Sequence, residues 1–352
     1  MWKYRDIFVT AFLIAIALVP FLRALAFRFQ ILDHPKKHGI HSHPVPRIGG
    51  AAIYLAFVIA AIYRFDLSLM LKGVLLGSSV IFCVGLWDDL SHLRASLKLM
   101  IQLAACAVMM VHFGVVLHVF PWQALNIFFT ALGIIGLTNA VNFLDNMDGL
   151  SSGLVMISST AVSLVAFNTH QLWLGYLSSA LAGACAGFLI FNLRPAYIFM
   201  GDAGSTFLGF TIASLCVMTE WSYYRPVTLA APILILGVPI LDMFLITVLR
   251  FKEKKISNFR EWIEYTGKDH LSHRVMRLGL GKRGAVFALW TLQALFCAAA
   301  LFILPRPAPY GFMGLAFYFA VTGSIILFFR KKRAILLAFR GRRKSRAFGS
   351  KN

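Results

Sequence analysis

Apolar and polar residues occur in long blocks along this chain, not in the short repeats of an amphipathic helix or a half-buried strand. Runs of about 20 apolar residues can cross a hydrocarbon layer as helices. Eleven such runs are read, at 6–28, 50–65, 69–87, 97–117, 122–141, 150–168, 172–191, 205–220, 227–249, 285–304 and 310–330. Some joints are as tight as "HVFPWQ" (118–123) and "FNTHQLW" (167–173). The largest hydrophilic insert, 250–284, is too small for a core of its own. The pattern predicts an all-α polytopic membrane protein of about 11 transmembrane helices: one membrane domain over 1–330 and a basic tail over 331–352.

Composition agrees with that class. Hydrophobic residues make up 59% and charged residues 14%, with a mean hydropathy of +0.76, more apolar surface than a soluble domain can hide. The net charge of +20 would suit a nucleic-acid binder if it were spread evenly. Instead ten Lys/Arg and no acid fall in 330–352, and ten more, against four acids, lie between Arg250 and Arg283. Basic clusters beside apolar spans mark cytoplasmic loops and contact with anionic lipid, so nucleic acid is set aside as a partner. The five cysteines (Cys83, Cys106, Cys185, Cys216, Cys297) sit in apolar runs with no C-x-x-C pair and read as small buried hydrophobes.

Charge also gives direction. The segments 29–49, 88–98, 192–204, 250–284 and the tail, which follow odd-numbered spans, are basic, whereas those after even-numbered spans carry little charge. The N-terminus is therefore expected outside and the tail in the cytoplasm. A rival reading takes "ALA" (24–26) as a signal-peptidase site, but cleavage there would break the alternation.

In this orientation the unusual polar segments share the cytoplasmic face: "LDHPKKHGIHSHPVPRIGG" (32–50), "GLWDDLSHLRASLK" (85–98), "NAVNFLDNMDGL" (139–150), "NLRPAYIFMGDAGS" (192–205) and "GKDHLSHRVMRLGLGKRG" (267–284). Of the 14 acids, Asp88, Asp89, Asp145, Asp148 and Asp202 gather at helix ends on that side. Ionisable groups near a bilayer are costly and usually functional. Converging aspartates suggest a hard cation, since Mg²⁺ takes oxygen ligands and bridges carboxylates to phosphates. Basic and histidine-rich loops beside them suit those phosphates, and "DAGST" opens a helix whose N–H groups would face an anion. Phosphoryl chemistry at the membrane–cytoplasm boundary follows as the expectation. Within 139–150, Asn139, Asn142, Asp145 and Asp148 recur every third residue, which spreads them over about half of a helix circumference. The two asparagines are expected in the last turn of the fifth span, the two aspartates just beyond, before Gly149. Asp88 and Asp89 are adjacent, point about 100° apart on a helix and should do different work.

Plainer readings stand beside these. Asp148 and Asp202 are candidate N-caps for the sixth and eighth spans. Asp242, deeper in "GVPILDMF", suits pairing with a basic neighbour. His92, His112, His118 and His170 are isolated and read as interfacial or structural. His34, His38, His41 and His43 could form a soft-metal site, though their spacing fits no metal motif. Arg194-Pro195 and Pro44-Val45-Pro46 read as loop stiffeners.

Taken together, "HSHPVPRIGG", "GLWDDL", "NAVNFLDNMDGL", "PAYIFMGDAGSTFLG", "GVPILD" and "DHLSHRVMRLGL" resemble, in content and order, the polyprenyl-phosphate N-acetylhexosamine-1-phosphate transferases. The resemblance covers about residues 30 to 285 and is nearest the branch that starts O-antigen, enterobacterial common antigen and wall teichoic acid, with the muramoyl-pentapeptide translocases more distant. It implies transfer of a sugar 1-phosphate, by family default N-acetylglucosamine 1-phosphate, from a UDP-sugar to undecaprenyl phosphate with release of UMP. It also implies a need for Mg²⁺ (Mn²⁺ as a substitute), a bacterial cytoplasmic membrane and, as is common in the family, a homodimer. By motif, the resemblance makes Asp202 the principal metal ligand with Asp89, and gives Asp88 the task of positioning or deprotonating the attacking lipid phosphate. Asn142, Asp145 and Asp148 would line the nucleotide-sugar site. His270, His273 and Arg274 would hold diphosphate, and Arg47 with Lys36 or Lys37 would hold phosphate. The implied catalytic set is Asp88, Asp89, Asp145 and His270.

Four positions depart from the family pattern: Asn146 stands where glycine is usual, His92-Leu93 where an acid often follows, Ser272 where relatives often have a third histidine, and Gly39 where lysine is common. These put sugar choice in question more than reaction type. Two other classes remain in view. A membrane prenyltransferase would need long N-D-x-x-D motifs, which "WDDLSHL" matches poorly. A transporter would place acids near mid-membrane and show internal repeats.

Overall fold

The computed structural model describes residues 2–33, 44–62, 68–193, 195–253, 256, 258, 267 and 269–349. All eleven apolar segments form helix over most of their described residues. They form α1 (Trp2–Arg28), α2 (Gly49–Ile62), α3 (Leu69–Ser91), α4 (Ala95–Phe113), α5 (Gln123–Leu144), α6 (Leu150–Asn168), α7 (Leu172–Asn192), α8 (Gly201–Met218) and the pair α9 (Arg225–Ile235) and α10 (Gly237–Lys252). A short α11 (Leu271–Val275) and a π-helical turn (Met276–Leu280) lead into α12 (Gly281–Ile303), and α13 (Ala308–Gly349) closes the chain. Among the described residues, nine helical segments are long and apolar enough to cross a membrane, α9 and α10 would form a tenth as a bent pair, and α2 is a shorter apolar helix. A two-residue strand pair, β1 (Leu32–Asp33) with β2 (Val45–Pro46), joins antiparallel between α1 and α2.

α7 and α8 form the middle of the bundle. α7 is buried along nearly its whole length against α1, α2 and α6, and α8 against α2, α3 and α5. α1 places Ala11, Ala15, Val19 and Ala26 fully inside, as part of the packed core.

The span expected at 227–249 is instead broken, because α9 and α10 meet at 78° around Leu236. Pro232 and Pro239 flank the break and have no N–H to give to a continuous ladder. The backbone groups freed there are met by side chains from three other helices. Ser158 Oγ donates to the Ile235 carbonyl at 2.8 Å, and Gln293 Nε2 donates to the same oxygen. Gln293 Oε1 accepts from the Val238 N–H at 3.0 Å, and Tyr318 donates to the Gly237 carbonyl at 3.1 Å. Gln293 is 0% exposed. Gln293→Leu is therefore expected to strip the Val238 N–H of its partner and lower stability by about 1–3 kcal/mol. A thermal melt in detergent reads this directly; an unchanged midpoint would mean that the break does not depend on Gln293.

Helices also run further than expected at one end of the bundle. α3 carries Asp88 and Asp89 in its last turn, so the loop expected at 88–98 shrinks to 92–94, and α5 reaches Leu144 instead of 141, with Asn142 in its last turn as expected. His92 ends α3 in a left-handed conformation (φ 50°), and His170 adopts one after α6 (φ 59°), as suits structural turn residues.

Candidate active site

The site is built around the start of α8. Three backbone bonds register the segment before it against the segment leading into α2: Phe199 N–H to the Pro46 carbonyl at 2.8 Å, Gly49 N–H to Phe199 at 2.9 Å and Gly50 N–H to Met200 at 2.8 Å. That register places Arg47 beside α8. Gly201 then turns the chain with φ 75°, and a Cβ there would lie 2.5 Å from Asp89 Oδ2, so both the turn and the close carboxylate require glycine.

Asp89, whose side chain is 0% exposed, fills the space at the α8 N-terminus. Its Oδ1 accepts from the Asp202 N–H at 2.9 Å and its Oδ2 from the Ala203 N–H at 2.9 Å, with Arg47 Nε 3.1 Å from Oδ1. The anion that meets this helix end is thus a carboxylate of α3, which satisfies N–H groups that otherwise lack partners. This differs from one expectation: the "DAGST" N–H groups at 202 and 203 do not point at open space, because Asp89 caps them with both of its oxygens. Asp202 is not an N-cap, since it sits in the first turn of α8 after Met200. Asp148 is not one either, because Gly149, in a left-handed conformation (φ 76°), holds the cap position of α6.

Asp202 instead joins two cations. Arg47 Nη2 lies 3.1 Å from its Oδ1 and Lys98 Nζ 3.0 Å from its Oδ2. Lys98 also reaches Asp88 Oδ2 at 2.6 Å, and Asp88 Oδ1 accepts from the Leu93 N–H at 2.6 Å. Asp88 and Asp89 do face different partners, as their angular separation requires. Lys98 was not singled out in the sequence, because a lysine at the start of an apolar run reads as a positive-inside marker. Its place ten residues after Asp88, one turn into α4, was the available signal. Burial alone would lower the Arg47 guanidinium, but Asp89, Asp202, Asp33 and Asp145 together hold it above its ordinary value.

The 139–150 stretch closes one side. Asn139 donates to Gln102 Oε1 at 2.8 Å, and Asn142 Oδ1 accepts from Ser205 Oγ at 2.7 Å, which ties α5 to α4 and α8. Asp145 ends α5. Desolvation pushes its carboxyl up to about 8, Asp202, Asp89 and Asp148 add repulsion, and Arg47 opposes. The turn is braced by Asn192, which accepts from the Gly149 N–H at 2.9 Å and donates to the Ile198 carbonyl at 2.9 Å. Among the described residues, no three acidic, histidine or cysteine side chains form a ready-made metal cage.

The histidine-rich segment arrives from the far end of the chain. His270 precedes α11, with Nδ1 2.8 Å from Asp242 Oδ2 and its ring 5.8 Å from that of Phe143. Asp242 thus has a neighbour able to carry positive charge, as its depth suggested. Ser272 Oγ donates to Asn146 Oδ1 at 2.7 Å, so two of the four departures noted above bond to each other. His273 is buried on α11, and Arg274 Nε donates to the Asp269 carbonyl at 2.7 Å. Lys36, Lys37, Gly39, Arg194 and the histidines at 34, 38, 41 and 43 lie outside the described residues.

Residues 71–220 match the model of glycosyl transferase family 4, a range that holds Asp88, Asp89, Lys98, Asn142, Asp145, Asp148 and Asp202. Among curated proteins the chain is similar to a probable undecaprenyl-phosphate N-acetylglucosaminyl 1-phosphate transferase of Bacillus subtilis, 31% identical over 307 residues, covering 84% of this chain and 83% of the relative. A decaprenyl-phosphate N-acetylglucosaminephosphotransferase of Mycobacterium tuberculosis is 30% identical over 326 residues, 81% of this chain and 79% of the relative. An undecaprenyl-phosphate alpha-N-acetylglucosaminyl 1-phosphate transferase of Escherichia coli O157:H7 is 28% identical over 308 residues, 83% and 81% of the two chains.

Proposed function

The chain belongs to glycosyl transferase family 4, and from that premise we infer that it moves N-acetylglucosamine 1-phosphate from UDP-N-acetylglucosamine to a polyprenyl phosphate, undecaprenyl phosphate in the first instance. The observation that carries the reading is the interlocked cluster of Arg47, Asp88, Asp89, Lys98 and Asp202 beside the Asn142–Asp148 turn. It gathers anions and cations from separate segments at one end of a membrane bundle, where a lipid phosphate and a water-soluble diphosphate can meet.

In the reaction, an oxygen of the lipid phosphate forms a bond to the sugar-bearing phosphorus of the donor. The bond from that phosphorus to the bridging oxygen breaks, and UMP leaves with the oxygen. The second pKa of a phosphate monoester is about 6, so the nucleophile is largely ionised at neutral pH and needs little help from a base. Positioning and charge neutralisation then dominate, as in other phosphoryl transfers. Arg47 and Lys98 are the cations placed for this. Asp88, Asp89 and Asp202 hold them, and Asp88 acts on the lipid phosphate through Lys98. Asn142, Asp145 and Asp148 line the donor side, with His270, His273 and Arg274 toward its diphosphate.

Mg²⁺, with Mn²⁺ as a substitute, fits this donor set. Asp202 with Asp89, and Asp145 beside them, offer hard oxygen ligands, and the crowding of Asp145 by Asp202, Asp89 and Asp148 is the balance that a divalent cation relieves. These carboxylates would hold the ion, which when bound would supply charge neutralisation for the diphosphate. The cluster lies on the cytoplasmic side of a bacterial inner membrane, the basic tail rests on anionic lipid, and the lipid-linked product begins a cell-envelope polysaccharide. Homodimerisation is proposed on the resemblance alone.

UMP release by the purified protein in detergent, given UDP-N-acetylglucosamine and undecaprenyl phosphate, is the direct assay. Release that needs the lipid and stops with EDTA is the expected result. No release across a panel of UDP-sugars from folded protein with Mg²⁺ present would overturn the reading.

A further inference from the structure

Asp242 takes no part in the cluster at α8, yet it is 1% exposed and both of its oxygens are engaged. Oδ1 accepts from the Leu271 N–H at 2.6 Å and Oδ2 lies 2.8 Å from His270 Nδ1. A carboxylate at that distance makes Nδ1 the protonated nitrogen of the neutral ring and leaves Nε2 for a ligand. Two turns further along α10, Arg250, 2% exposed, grips the preceding residue: Nε to Asp269 Oδ2 at 3.0 Å and Nη2 to Oδ1 at 2.7 Å. α10 therefore fixes three successive residues, Asp269, His270 and Leu271, from which α11 starts. The bond from Ser272 to Asn146 and the Phe143 ring beside His270 set that segment against the end of α5.

We propose that Asp242 is a positioning residue for the transfer reaction: it holds His270 in one tautomer and one direction beside the Asn142–Asp148 turn, so that Nε2 meets the diphosphate of the nucleotide sugar. The proposal rests on the function inferred above. A purely structural Asp242 would only cap α11 through the Leu271 N–H, and the two roles separate experimentally.

Four proteins are compared: wild type, Asp242→Asn, His270→Gln and the double variant. Initial rates of UMP release give kcat and KM for UDP-N-acetylglucosamine. Asp242→Asn alone is expected to lower kcat/KM by about 10–100-fold. In the His270→Gln background the same change is expected to add less than about twofold, because residues acting through one another are not additive. Asp242→Glu, which keeps the charge, recovers part of the loss. An equal loss in both backgrounds, or none in the single variant, overturns the proposal. Nitrogen-15 spectra of labelled histidine, taken without substrate and assigned with His270→Gln, supply the second readout. The Nδ1–H form of His270 is expected in wild type and lost or mixed in Asp242→Asn, whereas an Nε2–H ring in wild type overturns the proposal whatever the rates. Wild type that releases no UMP would count against the function assigned above, and the spectra would still decide how Asp242 sets His270.

Discussion

Asp202→Asn is expected to reduce UMP release by on the order of 10²–10³-fold while the protein keeps its melting temperature within a few degrees. The substitution preserves size and removes one charge. Asp202 is the only residue in the cluster that pairs with both cations among the described residues, with Arg47 on one oxygen and Lys98 on the other. An amide offers one oxygen and one NH₂ group, so one of the two cations would face a donor in place of an acceptor. Both cations keep a second partner, since Arg47 retains Asp89 and Lys98 retains Asp88, and for that reason the fold should survive. Rates with the lipid and donor saturating, alongside a thermal melt, check both halves. A rate within about tenfold of wild type would remove Asp202 from the centre of the chemistry.

Asp89→Ala should give the opposite profile, a large loss of stability with activity falling as a consequence. The carboxylate is fully buried and accepts two backbone N–H bonds at the start of α8 as well as the Arg47 contact. Removing it leaves two N–H groups of a buried helix end without partners. Arg47 keeps Asp202 and is partly exposed, which discounts the loss of the ion pair. A destabilisation of about 2–3 kcal/mol follows, read as a lower melting temperature and an earlier loss of the monodisperse peak on gel filtration. If Asp89→Ala melts like wild type and is merely inactive, Asp89 belongs with the groups that touch substrate.

The apolar blocks marked every helix but the short α11, because a stretch of about 20 apolar residues has few other fates. What they did not disclose was the bend at Leu236. "APILILGVPIL" contains both prolines and the glycine of the break, yet it stays apolar throughout, so hydropathy alone reads it as one span. The partners that make a break tolerable, Ser158, Gln293 and Tyr318, are far away in sequence. The site was legible in its acids, since carboxylates at the ends of apolar runs stand out on cost alone. Their division of labour was only half legible: adjacency said that Asp88 and Asp89 differ, but not that one of them is the cap of α8. Lys98 was hidden by the very rule that orients the chain. The Asp242–His270 and Asn146–Ser272 contacts span 28 and 126 residues, and no local pattern encodes a pairing of that length.

That α8 carries the hub of the cluster also sets an order of assembly during synthesis. The chain is made from its N-terminus, so Arg47 and then Asp88, Asp89 and Lys98 emerge well before Asp202. Asp88 gains its lysine ten residues later, but Asp89 must wait 113 residues for the backbone groups it caps, and Arg47 must wait 155 for Asp202. Until then the nascent membrane protein holds a buried-type carboxylate with two of its three partners unmade. A chain halted before Gly201 would have most of its helices and none of its finished centre, which makes the emergence of α8 the step at which an inserted bundle acquires a site.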